Sequence, residues 1–137
     1  MSYGNRFNAE TQLKLSPFFE RTSKLNESQE WRRWSGYLSA TNYELTHENE
    51  YFAIRTKAAL LDITPLYKYV IEGPDTQRFL NRLVTRNINI CKVGQVMYTP
   101  WCDENGKQID DGTVQRITDQ KFRITSAEPN LEWIHYN

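Results

Sequence analysis

The chain has 137 residues, 39% of them hydrophobic, with 17 Lys and Arg balanced by 17 Asp and Glu. A chain of this length buries one respectable core, which predicts one domain, and its formal net charge of zero, with basic residues scattered singly or in pairs such as Arg32-Arg33, offers no field for a phosphate backbone, so nucleic-acid binding is not expected. Two cysteines, Cys91 and Cys102, have neither CxxC spacing nor a neighbouring histidine; they read as free core thiols in a reducing compartment, with no zinc or redox motif.

The opening Met1-Ser2-Tyr3-Gly4-Asn5-Arg6 lacks the basic-then-apolar pattern of a signal peptide, and the longest aliphatic run, Ala58 to Leu61, is far too short for a bilayer. A cytoplasmic protein without membrane association is expected. Residues 1–43 read as an irregular, aromatic-containing lead-in, whose charged stretch from Glu20 to Arg33 is compatible with a helix ending in Trp31 and Trp34. Residues 44–137 carry the sharper signals. Thr46 can cap a helix, with Glu48 and Glu50 in its first turn and Arg55 and Lys57 near its end, and Tyr51, Ile54, Ala58 and Leu61 mark its buried face.

Tyr67 to Ile71 then predicts a strand, and Gly73-Pro74-Asp75 opens a helix with Phe79, Leu80, Leu83 and Val84 as its apolar stripe. An extended connector with Ile88 and Ile90 leads to a strand over Val96–Cys102. Asn105-Gly106 is the strongest hairpin signal in the chain, followed by a strand from Lys107 to about Ile117. A turn near Asp119-Gln120, a strand from Phe122 to Ser126 and a short helix opened by Pro129, carrying Leu131, Trp133 and Ile134, complete the order. Tight turns between most strands predict an α+β fold, a mainly antiparallel sheet with packed helices.

A two-residue turn at Asn105-Gly106 pairs Glu104 with Lys107, Cys102 with Ile109, Pro100 with Asp111 and Tyr98 with Thr113. The face holding Tyr98, Pro100, Cys102, Ile109 and Asp111 is mostly apolar, so Asp111 is expected on the buried side and Asp110 on the other, beside Trp101. A partly buried carboxylate finds donors, shifts its pKa, or faces a pocket where a ligand supplies the donor. Two roles stay open for Asp111: accepting backbone N–H bonds at a bulge next to Gly112, the commoner fate of an Asp-Gly pair in a sheet, or binding a ligand. Asp75 reads as a helix-start residue, Asp103 and Glu104 as a solvated turn, and Glu44, His47 and Glu48 as a charged helix entry. Neither His47 nor His135 has a nucleophile at base spacing, and there is no GxxxxGK or GxGxxG loop.

From Glu44 to Trp133 the chain resembles the glycine cleavage system T-protein (aminomethyltransferase) family and its folate-dependent demethylase-like branch. The landmarks are Ala53-Ile54-Arg55 with Ala59-Leu60-Leu61-Asp62-Ile63-Thr64, Val70-Ile71-Glu72-Gly73-Pro74-Asp75 with Phe79-Leu80, Val93-Gly94-Gln95-Val96-Met97-Tyr98, and Asn105-Gly106-Lys107-Gln108-Ile109-Asp110-Asp111. Leu15-Ser16-Pro17-Phe18-Phe19-Glu20 looks like the family's opening motif. The resemblance implies the N-terminal part of a folate-binding domain with tetrahydrofolate as cofactor. Asp111 then contacts the pterin-side nitrogens as the catalytic carboxylate, Tyr98 lies along the folate, and Thr113 and Ser126 stand where relatives line the same site, though changed in type, as is Gln115. Gly112 replaces an apolar residue of the T-proteins, and the stretch from Asn87 to Gln95, with Pro100 soon after Tyr98, looks closer to the demethylase-like branch.

The implied activity is transfer of an aminomethyl or methyl unit from a small-molecule donor, with a lipoyl carrier protein or a second chain as partner. Relatives are considerably longer than this chain. A non-catalytic folate-binding or interaction module is the alternative, as is a fragment whose uncovered apolar surface drives self-association.

Overall fold

The computed structural model describes residues 12–137, so the opening segment Met1 to Arg6 lies outside the described residues. The chain forms two compact units, one reaching to Pro65 and one from Leu66 to Asn137. No helix among the described residues is long and apolar enough to cross a membrane.

In the first unit, helix α1 (Phe19–Thr22) runs into a 3-10 turn, followed by strands β1 (Trp31–Trp34) and β2 (Tyr37–Ala40) and helix α2 (Glu48–Thr56). The helix allowed above through Trp31 and Trp34 is instead an antiparallel hairpin, with Trp34 opposite Tyr37. Its two-residue turn is Ser35-Gly36, both at positive φ (46° and 82°), the conformation whose twist matches the flanking strands. Helix α2 forms where expected, but it stops at Thr56 and buries none of its residues. Tyr51 and Ile54 are exposed, and Ala58 to Leu61 lie beyond its end, so the apolar face expected there is not a core face. Thr46 does not cap the helix; His47 holds that position without a side-chain bond. The Thr46 hydroxyl bonds the Glu48 carboxylate instead and, with the Glu48 backbone N–H, holds its pKa below the usual carboxylate value.

The second unit follows the expected order closely. Strand β3 (Tyr67–Glu72), helix α3 (Thr76–Leu83) and a 3-10 turn at Ile88–Ile90 lead to β4 (Val96–Cys102), β5 (Gln108–Thr118), β6 (Lys121–Ser126) and helix α4 (Leu131–Tyr136). The four strands form one antiparallel sheet in the order β3-β6-β5-β4, which bears out the α+β class. One face of the sheet carries the core: Met97 and Trp101 from β4, Val114 from β5, and Phe122 and Ile124 from β6. Leu80 and Leu83 of α3, Ile134 of α4, and Val84, Ile88 and Cys91 from the connections complete it. Cys91 is buried and free as expected, and Cys102, also free, is half-buried.

The β4–β5 hairpin departs from a two-residue turn. Asp103 and Lys107 close a longer loop, with Asp103 Oδ1 accepting from the N–H groups of Asn105 and Lys107. Tyr98 still pairs with Thr113 and Pro100 with Asp111, but Trp101 pairs with Asp110 and Cys102 with Gln108, leaving Ile109 as a bulge. The pairings of Cys102 with Ile109 and of Glu104 with Lys107 are therefore corrected.

Candidate functional site

Asp110 and Asp111 are adjacent on a strand, so they face opposite sides of the sheet. Asp110 is the buried one, at 8% exposure, on the face that also holds Trp101 at 2%. The expectation that Asp111 lies on the buried side is overturned. That reading counted Cys102 and Ile109 as apolar weight beside Asp111, whereas the bulge separates them. The opposite face carries Met97, Trp101 and Val114, joined by Phe122 and Ile124 across the next strand, and the larger apolar area decides which side is covered.

The structural part falls to Asp110. Its Oδ1 accepts from the Asp111 N–H at 2.8 Å, and its Oδ2 from the Glu128 N–H at 3.1 Å and from Asn130 Nδ2 at 2.7 Å. Asn130 Oδ1 in turn accepts from Trp101 Nε1 at 3.4 Å, and its backbone N–H donates to the Tyr69 hydroxyl at 2.8 Å. This network ties the turn between β6 and α4 to the middle of the sheet. Nothing in the sequence pointed to Asn130, which is distant in the chain from both Asp110 and Trp101; an asparagine just before a short helix reads only as a cap. Ser126 belongs to the same network. At 2% exposure it donates to the Glu128 carbonyl and accepts from Asn130 Nδ2, so the structure places it on the face opposite Asp111.

On the open face, the register brings Tyr98 and Pro100 of β4 beside Thr113 and Asp111 of β5, with Thr125 of β6 next to Thr113. The Tyr98 hydroxyl donates to Asp111 Oδ2 at 2.9 Å, and Gln108 Nε2 donates to Oδ1 at 3.2 Å. Tyr98 is 56% exposed, so its ring is accessible while its hydroxyl is engaged. A carboxylate offers about four acceptor positions; these two bonds leave capacity for N–H donors arriving from outside the sheet. The arrangement therefore suits a flat heterocycle, with N–H groups along one edge for Asp111 and a π face for Tyr98. Among the described residues no group of three His, Cys, Asp or Glu could hold a metal ion.

Donation to Asp111, with smaller contributions from burial and from the Asp111 charge, holds the Tyr98 phenol above its ordinary pKa. A group raised in the folded state contributes its stabilisation in full below the unfolded value of about 10 and loses it as pH rises through the folded value. A difference titration of tyrosinate absorbance between the native chain and Tyr98→Phe should show Tyr98 ionising later than a free tyrosine. In an Asp111→Ala background the same difference should return to the ordinary range; an unchanged titration there would remove Asp111 as the cause.

The description GCVT N-terminal domain matches residues 18–136. The aminomethyltransferase of Halothermothrix orenii is 30% identical over 130 residues, 91% of this chain and 35% of that protein. The trimethylamine-oxide aldolase of Ruegeria pomeroyi is 42% identical over 86 residues, 62% of this chain and 11% of that protein. In fold, the glycine cleavage system aminomethyltransferase T of Bartonella henselae superposes with a TM-score of 0.73 at 24% identity, covering 88% of this chain and 33% of that one. The chain thus spans about a third of the aminomethyltransferases it matches and about a tenth of the aldolase.

Proposed function

We propose, from the premise that this chain belongs to the GCVT N-terminal domain family, that the open sheet face around Asp111 and Tyr98 is one wall of a tetrahydrofolate site serving one-carbon transfer. The observation that carries this reading is the Tyr98–Asp111 bond on an accessible face, while the neighbouring Asp110 takes the structural work. A carboxylate free of scaffold duties, aimed outward and held in one rotamer by two side-chain donors, is preorganised to accept from a ligand.

The residues fit the group chemically. Asp111 accepts N–H bonds from the pterin edge, Tyr98 presents its ring to the pterin or aminobenzoyl plane, and Thr113 adds a hydroxyl on the same face. Ser126 acts at one remove, by holding the turn that anchors Asp110. When bound, tetrahydrofolate supplies N5 as the acceptor of the one-carbon unit. The chain's own contribution is orientation: Gln108 and Tyr98 fix the carboxylate, and the carboxylate fixes the heterocycle. The names of the two curated relatives, an aminomethyltransferase and a trimethylamine-oxide aldolase, support a donor whose transferable carbon is bound to nitrogen. A lipoyl carrier protein, or a second chain completing the site, is the partner this reading brings with it.

Calorimetric titration of tetrahydrofolate under reducing conditions tests the assignment. Asp111→Ala should weaken binding tenfold or more, about 1.4 kcal/mol, and Tyr98→Phe roughly threefold, since the ring remains and only the carboxylate's anchor is lost. Equal binding by the native chain and Asp111→Ala, or no binding by the native chain, would overturn it.

A further inference from the structure

We propose that Arg123, held in place by Gln115, is an anion subsite for the glutamyl carboxylates of tetrahydrofolate, an inference that rests on the reading of the open face as a folate wall. Residues Asp111, Thr113 and Gln115 of β5 point to the same side of the sheet, and each sits in a cross-strand row there. Asp111 lies opposite Pro100. Thr113 lies between Tyr98 and Thr125, and Gln115 between Val96 and Arg123, with Val70 beyond Arg123. The open face therefore carries a carboxylate at one end, an aromatic ring in the middle and a guanidinium at the other. The step from Asp111 to Gln115 along β5 spans roughly 14 Å of extended strand.

The guanidinium is positioned without being neutralised. Arg123 Nη2 donates to Gln115 Oε1 at 2.5 Å, which fixes the head group over the sheet, while Arg123 itself is exposed. Among the described residues no carboxylate lies within ion-pair distance of Arg123. Glu72, its diagonal neighbour on β3, is held by Lys121 at 3.0 Å. Arg116, on the other face, is taken up by the scaffold: it donates to the Cys91 carbonyl at 3.0 Å and to Asp119 at 3.3 Å. A neutral amide orients the Arg123 fork and leaves its charge intact, and the remaining N–H donors keep the planar geometry that matches a carboxylate. Val96 beside Gln115 and Val70 beside Arg123 flank the pair with apolar surface, where a charged hydrogen bond is stronger than in open water.

A ligand that engages all three rows has a flat head with N–H donors, an aromatic middle and an anionic tail. Tetrahydrofolate has its parts in that order: pterin, p-aminobenzoyl ring, glutamate. With the pterin edge on Asp111, an extended molecule running along β5 lays its benzoyl ring by Tyr98 and Thr113 and brings the glutamate to Arg123. Because Arg123 touches a part of the ligand remote from the reacting N5, it contributes binding that ground state and transition state share.

Calorimetry of the full chain with two ligands tests this: tetrahydrofolate, and 6-methyltetrahydropterin, which keeps the pterin head and lacks the benzoylglutamate tail. Arg123→Leu should weaken tetrahydrofolate about tenfold or more and leave 6-methyltetrahydropterin within about twofold. Arg123→Lys should recover part of the loss, since it keeps the charge but not the fork. Gln115→Leu, which removes only the anchor, should cost roughly threefold on tetrahydrofolate alone. Asp111→Ala should weaken both ligands, because both carry the pterin. Equal affinity of the native chain and Arg123→Leu for tetrahydrofolate, or equal losses on both ligands, would overturn the subsite and leave the Asp111 reading standing. Discrimination by Arg123 without any effect of Asp111→Ala would overturn the pterin placement instead, and a native chain that binds neither ligand would overturn both.

Discussion

Asp110→Ala should destabilise the protein by about 2–4 kcal/mol, whereas Asp111→Ala, one residue along, should leave its stability within roughly 0.5 kcal/mol of the native value. The two carboxylates differ in what depends on them. Removing Asp110 leaves the backbone N–H groups of Asp111 and Glu128 without their acceptor and takes the shortest of three bonds from Asn130 Nδ2. An orphaned buried donor costs about 1–3 kcal/mol, against a total stability for a domain of about 5–15 kcal/mol; Asn130 is buried at 4% exposure, whereas Asp111 is half-buried and Glu128 exposed, so their two N–H groups fall at the low end of that cost. Among the described residues Asp111 receives only the side chains of Tyr98 and Gln108, which turn to water when it goes. Urea denaturation of both variants measures the difference. Similar midpoints for the two would mean that the Asp110 network does not hold the fold. The contrast also protects the binding test, because lost folate affinity in Asp111→Ala cannot then be ascribed to unfolding.

Gly112→Ala should cost about 3 kcal/mol or more, at the upper end of overpacking. A Cβ at this position would stand 1.9 Å from the Thr125 carbonyl oxygen and 3.0 Å from its carbon. Those are backbone atoms of the neighbouring strand and have no rotamer to retreat into, so β5 and β6 must part where Thr113 pairs with Thr125 and Gly112 with Ser126. Gly106→Ala makes a useful comparison: its φ is +76° with nothing within 4 Å, so its cost is conformational alone, about 1 kcal/mol. Thermal melts of the two variants should rank accordingly, and a Gly112→Ala protein as stable as Gly106→Ala would show that the strands part easily. Glycine at position 112, next to Asp111, thus has a local reason: the two strands run too close here for any side chain.

Much of the second unit was legible because its signals are local. Val96–Cys102 was read with its observed bounds, and the stripe Leu80, Leu83 and Val84 is buried as its spacing predicts. The pairing of Tyr98 with Thr113 and of Pro100 with Asp111 also followed from the hairpin, even though its loop proved longer. In the first unit the Ser35-Gly36 turn is a signal in the sequence that the helix reading of the charged stretch before it leaves unused. Helix α2 shows the limit of periodicity, since a stripe such as Tyr51 and Ile54 marks one side of a helix without stating that anything covers it.

The sequence by itself determined the order of the elements in the second unit, its antiparallel sheet, the family to which the chain belongs, and the fact that Tyr98 and Asp111 share a face. All of these rest on short-range spacing or on the order of motifs along the chain. Only the tertiary structure decided which face is covered, and with it that Asp110 anchors the scaffold while Asp111 stays open. Alternation with a period of two names the members of each face but is silent about which face is buried. That choice depends on area summed over Trp101, Val114, Phe122 and Ile124 and on an asparagine, Asn130, that meets Asp110 only after β6 has folded back across the sheet.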